Sequence, residues 1–155
     1  MAALKDQLQA DLTQAIRDSD KVTSATIRMA LTAVTNEEVS GKQAKELTDE
    51  EVVNVLSREA KKRRESAQAY EEAQRPELAQ KENEELAVLE RYLPKQLSEQ
   101  DVDAIVAAAV AQAQADGAEG GRAMGAVMKL VTPQVTGRFD GSAVAGKVRA
   151  ALGLS

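Results

Sequence analysis

Leu4, Leu8, Leu12 and Ile16 recur at four-residue intervals, a spacing that only a helix brings to one side, and they predict a first helix over about residues 3–18. Asp18, Ser19 and Asp20 interrupt it. Ile27, Leu31, Val34 and Glu38 then mark a second helix that Gly41 stops, so the first forty residues read as a helical hairpin. Thr48-Asp49-Glu50-Glu51 spells a capping box, in which a hydroxyl and a carboxylate satisfy backbone N–H groups that a helix start leaves open. A long helix follows from it to about Ala73. Pro76 suits the first turn of the next helix, where its missing N–H is no loss, and Leu78, Leu86, Leu89 and Leu93 give that helix its buried face. Pro94 ends it and marks a domain boundary.

Beyond Pro94 the pattern turns from leucine to alanine and valine. Ser98-Glu99-Gln100-Asp101 is a second cap, opening an Ala/Val helix through about Ala115 that Asp116-Gly117 and Gly120-Gly121 break. Met124, Val127, Met128 and Val131 form the stripe of a short helix expected to end before Pro133. Val144, Val148, Ala151 and Leu152 form the last one. The prediction is an all-α protein: an N-terminal helical bundle over 1–94 and a small three-helix tail over 95–155.

Composition agrees and removes several chemistries. Apolar residues make up 43% of the 155-residue chain and aromatics only 2%, which suits helices packed through aliphatic side chains. The chain has no Cys and no His, which excludes disulfides, a thiolate nucleophile, a Cys/His zinc site and an imidazole base. MAALKDQLQADL lacks the apolar core of a signal peptide, and no apolar run approaches the ~20 residues that span a bilayer. A cytoplasmic protein with no membrane partner is expected.

The net charge of -5 is unevenly spread. Residues 1–93 hold 14 basic against 19 acidic side chains, whereas after residue 121 Arg122, Lys129, Arg138, Lys147 and Arg149 face only Asp140. A basic module thus ends an acidic protein, and these five cations are the candidate nucleic-acid contacts. Lys61-Lys62-Arg63-Arg64 is a weaker candidate, because four consecutive residues spread around a helix and Glu59 and Glu65 dilute them.

Other candidates have structural readings beside functional ones. Glu59 and Arg63 sit four apart on the buried side of the third helix, which predicts an internal ion pair or, alternatively, the polar floor of a ligand groove. Glu82, Glu84 and Glu85 lack the Glu-x-x-His element of bundle metalloproteins, so no metal is expected, and Gly146-Lys147 lacks the rest of a nucleotide loop. In GRAMGAVMKLVTPQVTGRFDG, Gly125 reads as a site of close helix approach, and Gly137 and Gly141 as turn residues needing positive φ. Asp140 or Ser142 caps the last helix; with Ser142 as the cap, Arg138 and the Gly141 amide are placed to hold a phosphate.

IRMALTAVTNEE, ELTDEEVVNVLSREAKKRRES, AVLERYLPKQLSE and MGAVMKLVTPQVTGRFDG with its VRAAL helix, in that order, resemble the GatB/YqeY family and its free-standing YqeY-like proteins over nearly the whole chain. The resemblance implies two helical parts joined by a partly helical connection, and kinship with the tail of the B subunit of glutamine-dependent aspartyl/glutamyl-tRNA amidotransferase, a region that helps engage tRNA. Carried onto this chain, the tRNA-side residues are again Arg122, Lys129, Arg138, Lys147 and Arg149. Phe139 departs from the small residue usual in the family, and reads as a core plug or a base-stacking side chain.

Three functions follow as expectations. The leading one is a non-catalytic tRNA- or RNA-binding accessory protein that needs no cofactor. The second is a protein-interaction adaptor of the translation apparatus. The third, implied by the resemblance alone, is carbon-nitrogen ligase activity with glutamine as amido donor, exercised only with a catalytic partner, because neither the ATP-dependent cradle nor the glutaminase subunit fits within this chain.

Overall fold

The computed structural model describes residues 3–154, which form α-helices joined by turns and loops: α1 (Ala3–Arg17), α2 (Lys21–Glu38), α3 (Asp49–Glu72), α4 (Pro76–Glu90), α5 (Glu99–Ala115), α6 (Gly121–Val135) and α7 (Gly141–Ala151). The protein is all-α, and its chain divides after Leu93 into two compact units, each with its own core.

In the first unit α2 packs against α1, α3 and α4, while α3 and α4 form a hairpin. Leu8, Ile27, Val34, Leu56, Val88 and Leu89 meet at its centre, and Leu47, from the loop before α3, closes one end. The capping box before α3 is formed, with the Thr48 hydroxyl accepting from the Glu51 amide and the Glu51 carboxylate accepting from the Thr48 amide. Ser19 and Gln74 take positive φ in the turns before α2 and α4, the local strain that two tight helical hairpins require.

The expected leucine stripe of α1 is only partly realised. Ile16 is 51% exposed and Ala15 is buried in its stead. A step of four residues overshoots a helical turn by about 40°, so a stripe written strictly at that spacing drifts off the buried face by its fourth member. On α4 the most buried positions are likewise Ala79, Val88 and Leu89, with Leu78 and Leu86 half-buried.

The connection is a turn at 91–93 followed by non-helical residues 94–98, and not the partly helical link expected. Pro94 supplies no N–H and disfavours the helical conformation of Leu93, which accounts for the difference.

The second unit packs α5, α6 and α7 pairwise around Val102, Val106, Val127, Val131, Val144 and Val148, with Ala109 and Ala113 beside them. Phe139 is half-buried against this core. The Ser98–Asp101 capping box opens α5. In α7, Ala151 is exposed rather than part of the stripe.

α6 runs through Pro133 and not, as its sequence suggests, only up to it. A proline this close to the C-terminus removes one hydrogen bond, to the Lys129 carbonyl, and the last turn offsets it. Gln134 Nε2 donates to the Leu130 carbonyl at 3.1 Å, Thr136 Oγ1 donates to the Thr132 carbonyl at 2.7 Å, and Val135 is buried.

Candidate nucleic-acid interface

Seven residues complete almost two turns of helix, so Arg122 and Lys129 project from one side of α6, roughly 10 Å apart along its axis. Both are exposed, and among the described residues neither has an ion-pair or hydrogen-bond partner for its side chain. Gly125 lies between them on the same side. A Cβ built there meets nothing within 4 Å, so this glycine does not serve close helix approach, contrary to the reading from its neighbours in sequence. Its effect is the opposite: it bares backbone between two cations.

Arg138 and Lys147 are differently employed. Arg138 Nε donates to the Lys95 carbonyl at 2.9 Å and an Arg138 Nη donates to the Gln134 carbonyl at 3.0 Å, while the Arg138 carbonyl accepts from the Leu97 amide at 2.9 Å. These bonds staple the segment before α5 to the turn after α6. Gly137 enters the same turn with φ 74° and its carbonyl accepts from Gln96, so it does take the left-handed conformation that favours glycine. Lys147 Nζ lies 2.6 Å from a Glu99 carboxylate oxygen and 2.7 Å from an Asp103 one. The hydrogen bonds it donates to the Asp103 and Glu99 carboxylates hold the ammonium above its ordinary lysine value. Its charge is therefore met inside the unit.

Asp140 settles the cap of α7: its carboxylate accepts from the Ser142 amide at 3.2 Å. A carboxylate thus stands where the Ser142-capped alternative puts a phosphate, and the Arg138–Gly141 anion site does not form. Gly141 is the first residue of α7 and is not among the positive-φ glycines, so the expected special geometry belongs to Gly137 alone. Arg149, in the last turn of α7, is exposed without a side-chain partner among the described residues and complements the negative end of the helix. Of the five tail cations, Arg122, Lys129 and Arg149 remain open to solvent contact.

On α3 the four consecutive cations are all matched to carboxylates: Lys61 to Glu65, Lys62 to Glu59, Arg63 to Glu59 and Glu85, and Arg64 to Glu90. Arg63 is only 5% exposed. Its guanidinium lies 3.4 Å from Glu59 and 3.8 Å from Glu85, and also donates to the Glu59 carbonyl and to the Met29 sulfur. Nε has no hydrogen-bond partner. The shallow groove of about 430 Å³ on α3 and α4 is lined by Glu71, Pro76, Ala79, Gln80, Asn83, Glu84 and Ala87, and so includes neither Glu59 nor Arg63. Among the described residues no three acidic side chains cluster to hold a metal ion, and no helix is long and apolar enough to cross a membrane.

A family profile described as Yqey-like protein matches residues 5–152, both units together. The chain belongs to the Yqey-like protein family. No curated protein matches it. Three features of this Yqey-like chain were missed by sequence reasoning. The Glu99–Lys147–Asp103 bridge links helices whose relative register no local pattern encodes. Glu85 as the second partner of Arg63 had a readable signal, since Arg63 and Glu85 are equidistant in sequence from Gln74, the turn of the α3–α4 hairpin. The third is the face of α2, whose cations are too few to register as a charge run.

Proposed function

We propose that this Yqey-like chain is a non-catalytic accessory protein that engages tRNA or another RNA through its second unit, with Arg122 and Lys129 as the central contacts and Arg149 as an outlying one. The observation that supports this reading is the α6 face, where two exposed, unpaired cations flank the open backbone of Gly125. A phosphate backbone is a regular row of anions, and a bare stretch of helix between two cations lets it approach without a side chain in the way. Arg138 and Lys147 support the tail's own structure in this reading. A cytoplasmic location accompanies it, since that is where tRNA is met.

Three phosphate contacts give a modest affinity that falls with salt, log K against log salt having a slope of about -2 to -3. Titrating tRNA against the full chain at two salt concentrations, with the Arg122→Glu/Lys129→Glu double variant in parallel, tests the assignment. The wild-type chain is expected to bind with that slope and the variant to lose most of the affinity. Salt-independent binding, or binding that the double variant leaves intact, overturns it.

A further inference from the structure

The first unit carries an unpartnered surface of a different kind. From Lys21 to Asn36, α2 contains no acidic residue, on a protein with a net charge of -5. Lys21 and Arg28 lie seven residues apart on its most outward side, opposite Ile27, Ala30 and Val34, and neither side chain has a partner among the described residues. The carboxylates that flank the helix are otherwise engaged. Asp18 accepts from Gln14, Asp20 from Thr23, Glu37 pairs with Arg58 and Glu38 with Lys5. Glu37 and Glu38 are paired to other cations, Asp18 and Asp20 face neutral donors, and among the described residues neither Lys21 nor Arg28 has a counter-ion in contact.

A second row runs beside the cations. Val22 and Met29 are also seven residues apart, 41% and 46% exposed, with Ala25 and Thr32 filling the space between the rows. The Met29 sulfur accepts from the guanidinium of Arg63 at 3.7 Å, and the residue is still 46% exposed. Two parallel rows, one apolar and one cationic, each repeating at two helical turns, match the side-chain spacing of an amphipathic helix laid along α2.

We infer that the outer face of α2 docks an acidic amphipathic helix of a protein partner, which sets apolar side chains against Val22 and Met29 and carboxylates against Lys21 and Arg28. Charge complementarity selects the acidic partner, and the flexible, polarisable Met29 suits an adaptable apolar contact. RNA accounts for the cations but leaves the apolar row unused. A membrane requires a broader apolar face and a longer basic cluster than these four side chains provide. This surface is distinct from the α6 face proposed for RNA, and either assignment can fail alone.

The test is a titration of the isotope-labelled full chain, followed by backbone amide shifts. The probes are a synthetic helical peptide with leucines at i, i+3 and i+7 flanked by glutamates, its twin with lysine for every glutamate, anionic phosphatidylserine vesicles, and an RNA duplex. The acidic peptide is expected to shift amides across residues 21–32 and to bind at least about tenfold tighter than the lysine twin, with Arg28→Glu removing that preference. Arg28 is exposed and its side chain makes no hydrogen bond or ion pair among the described residues, so its variant should melt like the wild type; Met29→Gln gives a second variant and should weaken the acidic peptide severalfold. The inference is overturned if the lysine twin binds equally well, if the shifts map away from α2, if both variants leave the affinity unchanged, or if vesicles or RNA occupy α2 in preference to the acidic peptide.

Discussion

The two units solve the same problem, burying a helix stripe, with different side chains, and they handle their cations in opposite ways. The first unit centres on Leu8, Ile27, Leu56 and Leu89 and encloses a charged cluster, Glu59–Arg63–Glu85, within its helix packing. The second has no leucine or isoleucine among its fully buried side chains and relies on valine and alanine. A buried valine or alanine removes less apolar area from water than a buried leucine, so a narrower stability margin is expected for this unit. In the first unit the conspicuous run of cations is neutralised locally and the inconspicuous ones on α2 are left open. In the second, two of the five cations after residue 121, Arg138 and Lys147, bond to other parts of the unit. Counting charges along a chain therefore overstates a basic surface where carboxylates lie within reach, and understates one where they are spent on caps and other pairs.

Removing Arg63 is the severest way to break the contrast. Arg63→Ala takes from Glu85 its ion-pair partner in a mostly buried site, with Glu59 keeping Lys62, and is expected to destabilise the first unit by about 3 kcal/mol. Denaturant unfolding of the full chain measures it; a loss below about 1 kcal/mol would mean that water reaches the cluster freely. Val127→Ala, at a position fully shielded in the second unit, is expected to cost about 2 kcal/mol. Because a narrower margin is expected for that unit, calorimetry should show its transition moving ahead of the first unit's. A single merged transition that shifts as a whole would contradict the independence of the two cores.

Thr26 sharpens the picture of the first unit. Its hydroxyl is fully buried on α2 without a hydrogen-bond partner, so Thr26→Val replaces an unsatisfied polar group by a methyl of similar shape. The expected gain is about 1 kcal/mol in chemical unfolding, and a loss would reveal a partner for the hydroxyl. Gly125→Ala does the same for the second unit. With open space at the Cβ, only helix propensity changes, and about 0.5–1 kcal/mol of added stability is expected. Destabilisation would restore the close-packing reading of this glycine. If RNA lies against α6, the same variant should bind it less well while melting later.

The smallest effect concerns acid. Asp20 and Asp101 are held below the ordinary value of 3.8, each chiefly by a backbone hydrogen bond, from Thr23 and from Ser98 respectively. A folded-state pKa that is depressed means the stabilisation is present above the unfolded value and lost as pH falls through the folded one. Both units should therefore weaken modestly below pH 3.8, and Asp20→Asn and Asp101→Asn should each flatten the acid limb of its own unit. On the alkaline side, burial and the hydrogen bond to Asp11 push the Tyr92 hydroxyl up from its ordinary value of 10.0. The proton is held more tightly in the folded state, so the first unit should lose stability as pH rises above 10.0, and Tyr92→Phe should remove that dependence.

Helix number and capping boxes were legible because each depends on residues within a turn or two of one another. Thr48 and Glu51, or Ser98 and Asp101, need only their own helix start to find their partners. The drift of the α1 stripe past Ile16 and the continuation of α6 through Pro133 were less legible. In both, burial of a neighbour, Ala15 or Val135, outweighed a simple local rule.

The sequence by itself determined a helical protein, its family, its basic end and the absence of Cys and His chemistry, because composition, periodicity and capping act over short stretches of chain. Only the tertiary structure decided which charges remain available. Whether Lys147 meets Glu99 and Asp103, whether Arg63 meets Glu85, and whether Lys21 and Arg28 find a counter-ion among the described residues depend on which helix faces which across distances in sequence of many turns. A charge acts over a few ångströms in space, and that distance is set by packing.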